Sequence, residues 1–302
     1  MDNHQHNAAR ERLVVSGADG YVGFFVTEFL SARYDLTLLV RDGGTSSVHR
    51  EKPGIRRLCV SLTDRTALRE AMRGACGVIH LAYDHVRGAY RGGEGADLAG
   101  WYDRNLRMLV ALAITAEAEA VGTFLFLSSR AVYDELGEGH RETNVLRPHT
   151  HYGALKAASE MILSGFRAIR SCSVRSTGVY GLVDPPERSK WADLIISLRT
   201  CGKLERDRIS SEVHGHDLAR ALLLLLERQG PLPPAVNLSD LVVSHSMVAD
   251  IYAGITGRSI AIGERCVKMD GRMDSSWLIG EGFRYGGRPL LESTIKQLAD
   301  SL

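Results

Sequence analysis

Several classes of protein are excluded by what the 302-residue chain lacks. No apolar run reaches the roughly 18–20 residues that a membrane-spanning helix needs; the leucine run at 222–226 is far too short. Neither sign of charge dominates. Lys and Arg number 37 against 36 Asp and Glu, a formal net charge of +1, so no basic field favours nucleic acid or an anionic membrane. The five cysteines (Cys59, Cys76, Cys172, Cys201 and Cys266) are odd in number and scattered, with no C-x-x-C pair and no zinc-type Cys/His spacing. They read as reduced thiols in or near a core, which fits the cytoplasm, and no metal site is expected. Repeats and low-complexity linkers are also missing. The polar, His-rich residues 1–10 have no apolar segment to act as a signal peptide and read as a disordered tail.

What remains is an alternation. Short apolar runs at 13–15, 36–40, 57–60, 78–81, 123–127, 173–174 and 235–238 read as strands covered on both faces. Helical patterns separate them at 21–32, 65–73, 103–120, 152–169 and 217–227. Strand–helix alternation of this kind predicts an α/β fold, a Rossmann-type doubly wound parallel sheet. The glycine-rich stretch 87–100 reads as a flexible loop. Residues 182–211 and 241–302 break the rhythm and are expected to form a small C-terminal substrate lobe over the strand ends, with 11–181 and 212–240 forming the nucleotide-binding domain.

The first strand runs into G-x-x-G-x-x-G: Gly17, Ala18, Asp19, Gly20, Tyr21, Val22, Gly23. Gly17 permits the tight turn, Gly20 lets backbone N–H groups approach a pyrophosphate, and Gly23 lets helix pack on strand. The positive end of the helix then faces the phosphates. Arg41 follows the second strand, where an arginine accommodates a 2′-phosphate, so NADP is favoured over NAD; Asp42 offers an acid for the ribose of NAD instead.

Tyr152 and Lys156 stand four residues apart at the start of a helix, hence on one face. A free tyrosine has a pKa of about 10. Bringing it to about 7 takes roughly 3 units, or about 4 kcal/mol, and a neighbouring ammonium favours the phenolate. Ser129 lies just past the fifth strand, where its hydroxyl can hydrogen-bond a substrate oxygen while Tyr152 gives or takes a proton.

Together, GADGYVG, VIHLA at 78–82, Asn105, SSRAVY at 128–133, YGALK, RSTGVYG at 175–181 and VHGHD at 213–217 resemble the extended short-chain dehydrogenase/reductases, the NAD(P)-dependent epimerase/dehydratase group. The resemblance implies Ser129, Tyr152 and Lys156 as the catalytic trio. It places Gly17, Asp19, Gly20, Tyr21, Val22, Gly23, Arg41, Asp64, Leu81, Ala82, Tyr83 and Asn105, with Tyr152 and Lys156, around the cofactor. Ser129, Arg130, His151 and Arg175 fall on the substrate side, Arg175 as a carboxylate binder. A homodimer through the helices at 103–120 and 152–169 is also implied.

Two departures bear on substrate. Gly178 replaces the asparagine of R-x-x-N-x-x-G, and Ser210 replaces an arginine; both usually help hold a nucleotide diphosphate in this family. Arg188, Arg199, Arg206 or Arg208 would have to substitute. The expected activity is therefore an NAD(P)-dependent reductase or dehydrogenase acting on a secondary alcohol or ketone of a sugar-like or other small polar molecule. The alternatives are a nucleotide-sugar epimerase or dehydratase and, further off, a non-catalytic NAD(P) sensor.

Overall fold

The computed structural model describes residues 10–41, 52–86, 93–134, 139–266 and 273–302. Asp42 and most of the N-terminal tail lie outside the described residues. The strands are β1 (Arg12–Ser16), β2 (Asp35–Val40), β3 (Ile55–Cys59), β4 (Gly77–His80), β5 (Thr123–Ser129), β6 (Arg170–Ser176), β7 (Gly178–Tyr180), β8 (Lys203–Leu204), β9 (Ile209–His214), β10 (Ala235–Leu238), β11 (Leu241–Ser244) and β12 (Ala261–Ile262). The α-helices are α1 (Tyr21–Leu30), α2 (Arg65–Met72), α3 (Leu98–Ala118), α4 (His151–Leu163), α5 (Ala192–Cys201), α6 (Gly215–Glu227), α7 (His245–Thr256), α8 (Ser276–Gly280) and α9 (Gly287–Ser301).

Seven strands pair in the order β10-β6-β5-β4-β1-β2-β3, every pair parallel. All seven apolar runs read from the sequence lie in this sheet. Alternation along β1 explains its two-sided burial. Leu13 and Val15 join the core beneath α1 and α6, whereas Val14 joins the core beneath α2 and α3. Each such side chain contributes about 1.5–3 kcal/mol on leaving water. Strand order reverses between β1 and β4, so the crevice at their carboxyl ends is the topological switch point.

The rest of the chain builds smaller sheets, β11-β9-β7 and β12-β8, around a separate apolar cluster. Tyr180, Trp191, Ile195, Leu198, Val248, Tyr252, Leu291 and Ile295 belong to it. Two helix boundaries differ from the sequence expectation by five residues or more. The stretch read as a loop over 87–100 already contains the start of α3, because Asp97 accepts a hydrogen bond from Gly100 N and caps the helix; residues 87–92 lie outside the described residues. α4 ends at Leu163 rather than 169, and a turn follows in which Gly165 N donates to Ile162 O at 3.1 Å.

Candidate active site

The glycine loop sits at the switch point because only glycine fits there. Gly17 has φ +79°, and a Cβ on it would lie 2.6 Å from Ala82 N and 2.8 Å from the Leu81 carbonyl carbon. The β1 and β4 crossovers therefore touch backbone to backbone. A Cβ on Gly23 would lie 2.5 Å from Ala18 O, so α1 can follow the turn directly. Gly20 N donates to Gly17 O at 3.1 Å, closing the turn. No side chain caps the start of α1, which leaves its first-turn N–H groups for an anion. This uncapped helix end behind a turn of Gly17 and Gly20 fits a dinucleotide pyrophosphate.

The other residues assigned to the cofactor divide into groups. Tyr21 Oη donates to Gly181 O at 2.8 Å and accepts from Lys190 N at 3.2 Å, tying the loop to the segment that follows β7. Val22 packs its side chain against the core. Asp19 pairs with Arg57 at 2.6 Å, and Arg188 donates to Asp19 O at 3.3 Å. Arg41 is largely exposed and reaches Asp84 at 3.5 Å, which also binds Arg104 at 2.8 Å. Asp64 caps α2, accepting from Thr66 N and Ala67 N. Asn105 accepts from Asp84 N at 2.8 Å and donates to Asp84 O and Trp101 O, which stitches down the chain after β4.

Lys156 is 5% exposed. Its Nζ donates to Leu127 O at 2.8 Å and lies 5.8 Å from the Tyr152 ring centre, 5.5 Å from Tyr83 and 4.6 Å from Phe126. Burial pushes its pKa down to about 7, and the Glu160 carboxylate opposes that shift. The Tyr83 ring meets Tyr152 edge-on at 5.1 Å, and burial raises the Tyr83 phenol further above its ordinary value. Beneath them His80 is buried and shares a 2.7 Å hydrogen bond with Ser16 Oγ. Burial, with help from Lys156, lowers the His80 imidazole to about 3, so it stays neutral. Neutral His80 adds no competing positive charge beside the lysine.

Ser129 ends β5, and its Oγ accepts from Ala131 N at 3.2 Å at the start of a 3₁₀ turn (Arg130–Val132). That turn presses on α4 at Gly153, where a Cβ would overlap the Ala131 carbonyl. Thr150 caps the same helix by accepting from Gly153 N at 3.0 Å. The fold thereby brings the serine turn and the tyrosine helix together. Gly153 was not singled out from sequence; a small residue directly after Tyr152 was the only signal for it.

Arg130 begins the serine turn. His151, exposed at the start of α4, shares a 3.2 Å hydrogen bond with Tyr102. Arg175, expected to meet a substrate carboxylate, is instead 6% exposed and spends its guanidinium inside the protein, on Glu160, Tyr133 and Glu142 O. At the two departures, Lys190 pairs with buried Glu212, and Ser210 Oγ donates to the same carboxylate at 2.6 Å. A Cβ on Gly178 would lie 2.5 Å from Glu212 Oε2 and 2.7 Å from Lys190 Nζ. The ion pair fills the space that a side chain at 178 would take. Among the described residues no cluster of His, Cys, Asp or Glu could hold a metal ion, and no helix is long and apolar enough to cross a membrane.

Fold and site together define a Rossmann-type α/β protein in which a glycine turn lies at the switch point and the serine turn packs on the helix of Tyr152 and Lys156. A profile of the NAD dependent epimerase/dehydratase family matches residues 13–239, and the chain belongs to that family. No curated protein sequence matches it. Among solved structures it is similar to the UDP-N-acetylglucosamine 4-epimerase of Methanobrevibacter ruminantium in complex with UDP-N-acetylmuramic acid. That match has 18% identity and a TM-score of 0.80 and covers 97% of this chain and 98% of the other. The UDP-glucose 4-epimerase of Brucella ovis in complex with NAD matches at 20% identity and TM-score 0.78, covering 96% and 98%. The UDP-glucose 4-epimerase of Thermus thermophilus, also with NAD, gives 22% and 0.76 over 96% and 98%.

Proposed function

We propose that the chain is an epimerase of sugar nucleotides that works through transient oxidation of a secondary alcohol. Family membership and the 4-epimerases among its structural neighbours favour this reading over the net reductase or dehydrogenase expected from sequence. The observation that carries it is the buried Lys156 beside Tyr152, next to a glycine cradle shaped for a dinucleotide. In this reading the cradle and the α1 N-terminus hold the pyrophosphate, and the nicotinamide supplies the site that takes up and returns hydride. Ser129 donates a hydrogen bond to the reacting sugar oxygen. Tyr152 takes the hydroxyl proton and gives it back. Lys156, when protonated, stabilises the phenolate by its charge.

NAD is the cofactor named with several neighbours, whereas Arg41 carries the expectation of NADP. A second copy of the chain is the proposed partner. Leu106 and Met108 on α3 are half-buried and Met161 on α4 is 72% exposed, while Leu109 and Ala113 are already buried within this chain. A sedimentation mass equal to one chain would remove that proposal.

A second reading rests on one observation. The Lys190–Glu212 pair occupies the space beside Gly178, where the family's asparagine would stand, which favours net reduction or oxidation of a smaller polar substrate. One screen separates the two. Sugar nucleotides, free sugars and sugar acids are incubated with enzyme and NAD or NADP, and both epimer formation and nicotinamide absorbance are followed. An epimerase interconverts stereoisomers without net absorbance change, whereas a dehydrogenase forms NAD(P)H from the oxidised cofactor and a reductase, given NAD(P)H instead, consumes it. Tyr152→Phe is expected to lower either rate by about 10²–10⁴-fold; full activity in that variant would reject the proton-transfer role.

A further inference from the structure

Under the turn that carries Ser129 lies a buried charge network that the proton chemistry above does not use. Glu160 stands one helical turn beyond Lys156 on α4, and Arg175 faces it from β6; their side chains are 8% and 7% exposed. Arg175 Nε donates to Glu160 Oε1 and Oε2 at 3.1 Å each, and Nη2 donates to Oε2 at 2.7 Å. Ser128, the neighbour of Ser129, donates its hydroxyl to Glu160 Oε1. Arg175 Nη1 donates to Tyr133 Oη at 2.6 Å and to Glu142 O at 3.1 Å. Tyr133 closes the serine turn and donates onward to Asn237 Oδ1 on β10 at 2.8 Å. One ion pair thus ties β5, β6, β10, the serine turn and α4 to each other.

Stability alone is a poor reason for such a pair. Two charges withdrawn from water lose hydration that their attraction only partly repays, and apolar replacements of similar volume are often neutral or better. What apolar replacements would not supply is fixed direction and a negative charge at this point. We infer that Glu160 and Arg175 are positioning residues for the proposed proton chemistry: they hold the Ser128–Ser129 end of β5 against α4 and place a counter-charge one turn from the Lys156 ammonium.

The electrostatic surroundings agree. Burial pushes Lys156 toward the neutral amine, and the Glu160 carboxylate is the charge that opposes it. Among the described residues, Lys156 otherwise meets the Leu127 carbonyl, the rings of Tyr83, Tyr152 and Phe126 and the neutral His80 on β4. Glu160 in turn faces Arg175 and the thiol of Cys172 on β6, and its charge helps to raise that thiol. Tyr133 and Glu142 approach from the turn and the segment beyond it, through Arg175.

The inference rests on the proposed function for its purpose, but its test does not need a substrate. Lysine labelled with ¹³C at Cε reports the Lys156 titration by NMR in the full chain, wild type against Glu160→Gln and the double variant Glu160→Gln/Arg175→Met. Proton binding at Lys156 is expected to weaken about tenfold in Glu160→Gln and by a smaller factor in the double variant, where the opposing arginine charge is also gone. On whichever substrate the screen finds, kcat is expected to fall by more than KM rises, and Glu160→Asp is expected to restore part of it. Should Glu160→Gln fail to fold, the double variant, which buries no lone charge, decides. A folded double variant with the wild-type Lys156 midpoint and wild-type kcat would overturn the inference. Wild-type protein inactive on every sugar nucleotide would overturn the epimerase reading instead, leaving the titration to judge the ion pair.

Discussion

A single methyl group added at Gly153 should separate the serine turn from the helix of Tyr152 and Lys156. Its Cβ would overlap the Ala131 carbonyl oxygen and stand 2.9 Å from the Ala131 carbonyl carbon and 3.0 Å from Pro148 Cβ. The obstacle is backbone, so no side-chain rotation relieves it. Either the first turn of α4 retreats, carrying Tyr152, or the serine turn does, pulling on the Ser129 Oγ to Ala131 N hydrogen bond. Overpacking of this kind costs about 1–3 kcal/mol, a loss of a few degrees in Tm for a chain of this size. The chemical cost should be larger in effect. A displacement of about 1 Å between reacting groups costs on the order of 100-fold in rate, equivalent to about 2.7 kcal/mol of barrier. Gly254→Ala in α7 is the matched control, because a Cβ there meets nothing within 4 Å and an alanine in a helix gains about 0.5–1 kcal/mol over glycine. The assay compares kcat/KM and Tm for both variants on the same substrate. Wild-type kcat/KM in Gly153→Ala would refute the claim that this contact sets the Ser129–Tyr152 geometry.

Gly17→Ala should weaken NAD and NADP alike by about 100-fold or more in a direct binding titration, since a Cβ there strikes the β4 crossover backbone in a left-handed conformation; unchanged affinity for both would remove the glycine loop as the binding site. Stability should also depend on pH through Asp240, whose carboxyl burial and the nearby Asp217 raise to about 6. The native state then holds a proton that the unfolded chain releases between about pH 4 and 6, so stability is highest below that window and falls as pH rises through it. Allowing for solvent screening at this partly exposed group, the loss should be about 1–2 kcal/mol. Denaturant melts of wild type and Asp240→Asn at pH 4.5 and 7 check this; equal slopes in both proteins would refute the assignment.

The sequence patterns that proved legible are those whose cause is local. Seven short apolar runs are strands because a parallel sheet covered on both faces needs continuous hydrophobicity, and each run found its place in the sheet. The strands of the smaller sheets were not legible. Lys203–Leu204 and Ala261–Ile262 are two residues each and exist only because they pair with each other across nearly sixty residues of chain. The early start of α3 was hidden in the same way. Glycines at 93, 95 and 100 look like a loop until Asp97 is seen to cap the helix through Gly100 N.

The site divides along the same line. Gly17, Gly20 and Gly23 announce a turn through their spacing alone, and Tyr152 and Lys156 share a helix face by theirs. Arg175 shows where spacing stops being informative. In sequence it is the arginine of the R-S-T-G-V-Y-G run, common there in the wider family and open to a substrate carboxylate. In the fold it meets Glu160 from a helix that precedes it by one loop, and the two charges remove each other from substrate recognition. On the proposed chemistry, moving a buried arginine whose carboxylate partner sits one turn from Lys156 should disturb that lysine. Substitutions at 160 and 175 should therefore report on proton transfer, whereas Lys190, Glu212 and Ser210, clustered at Gly178, are the positions whose exchange should alter which substrate is accepted.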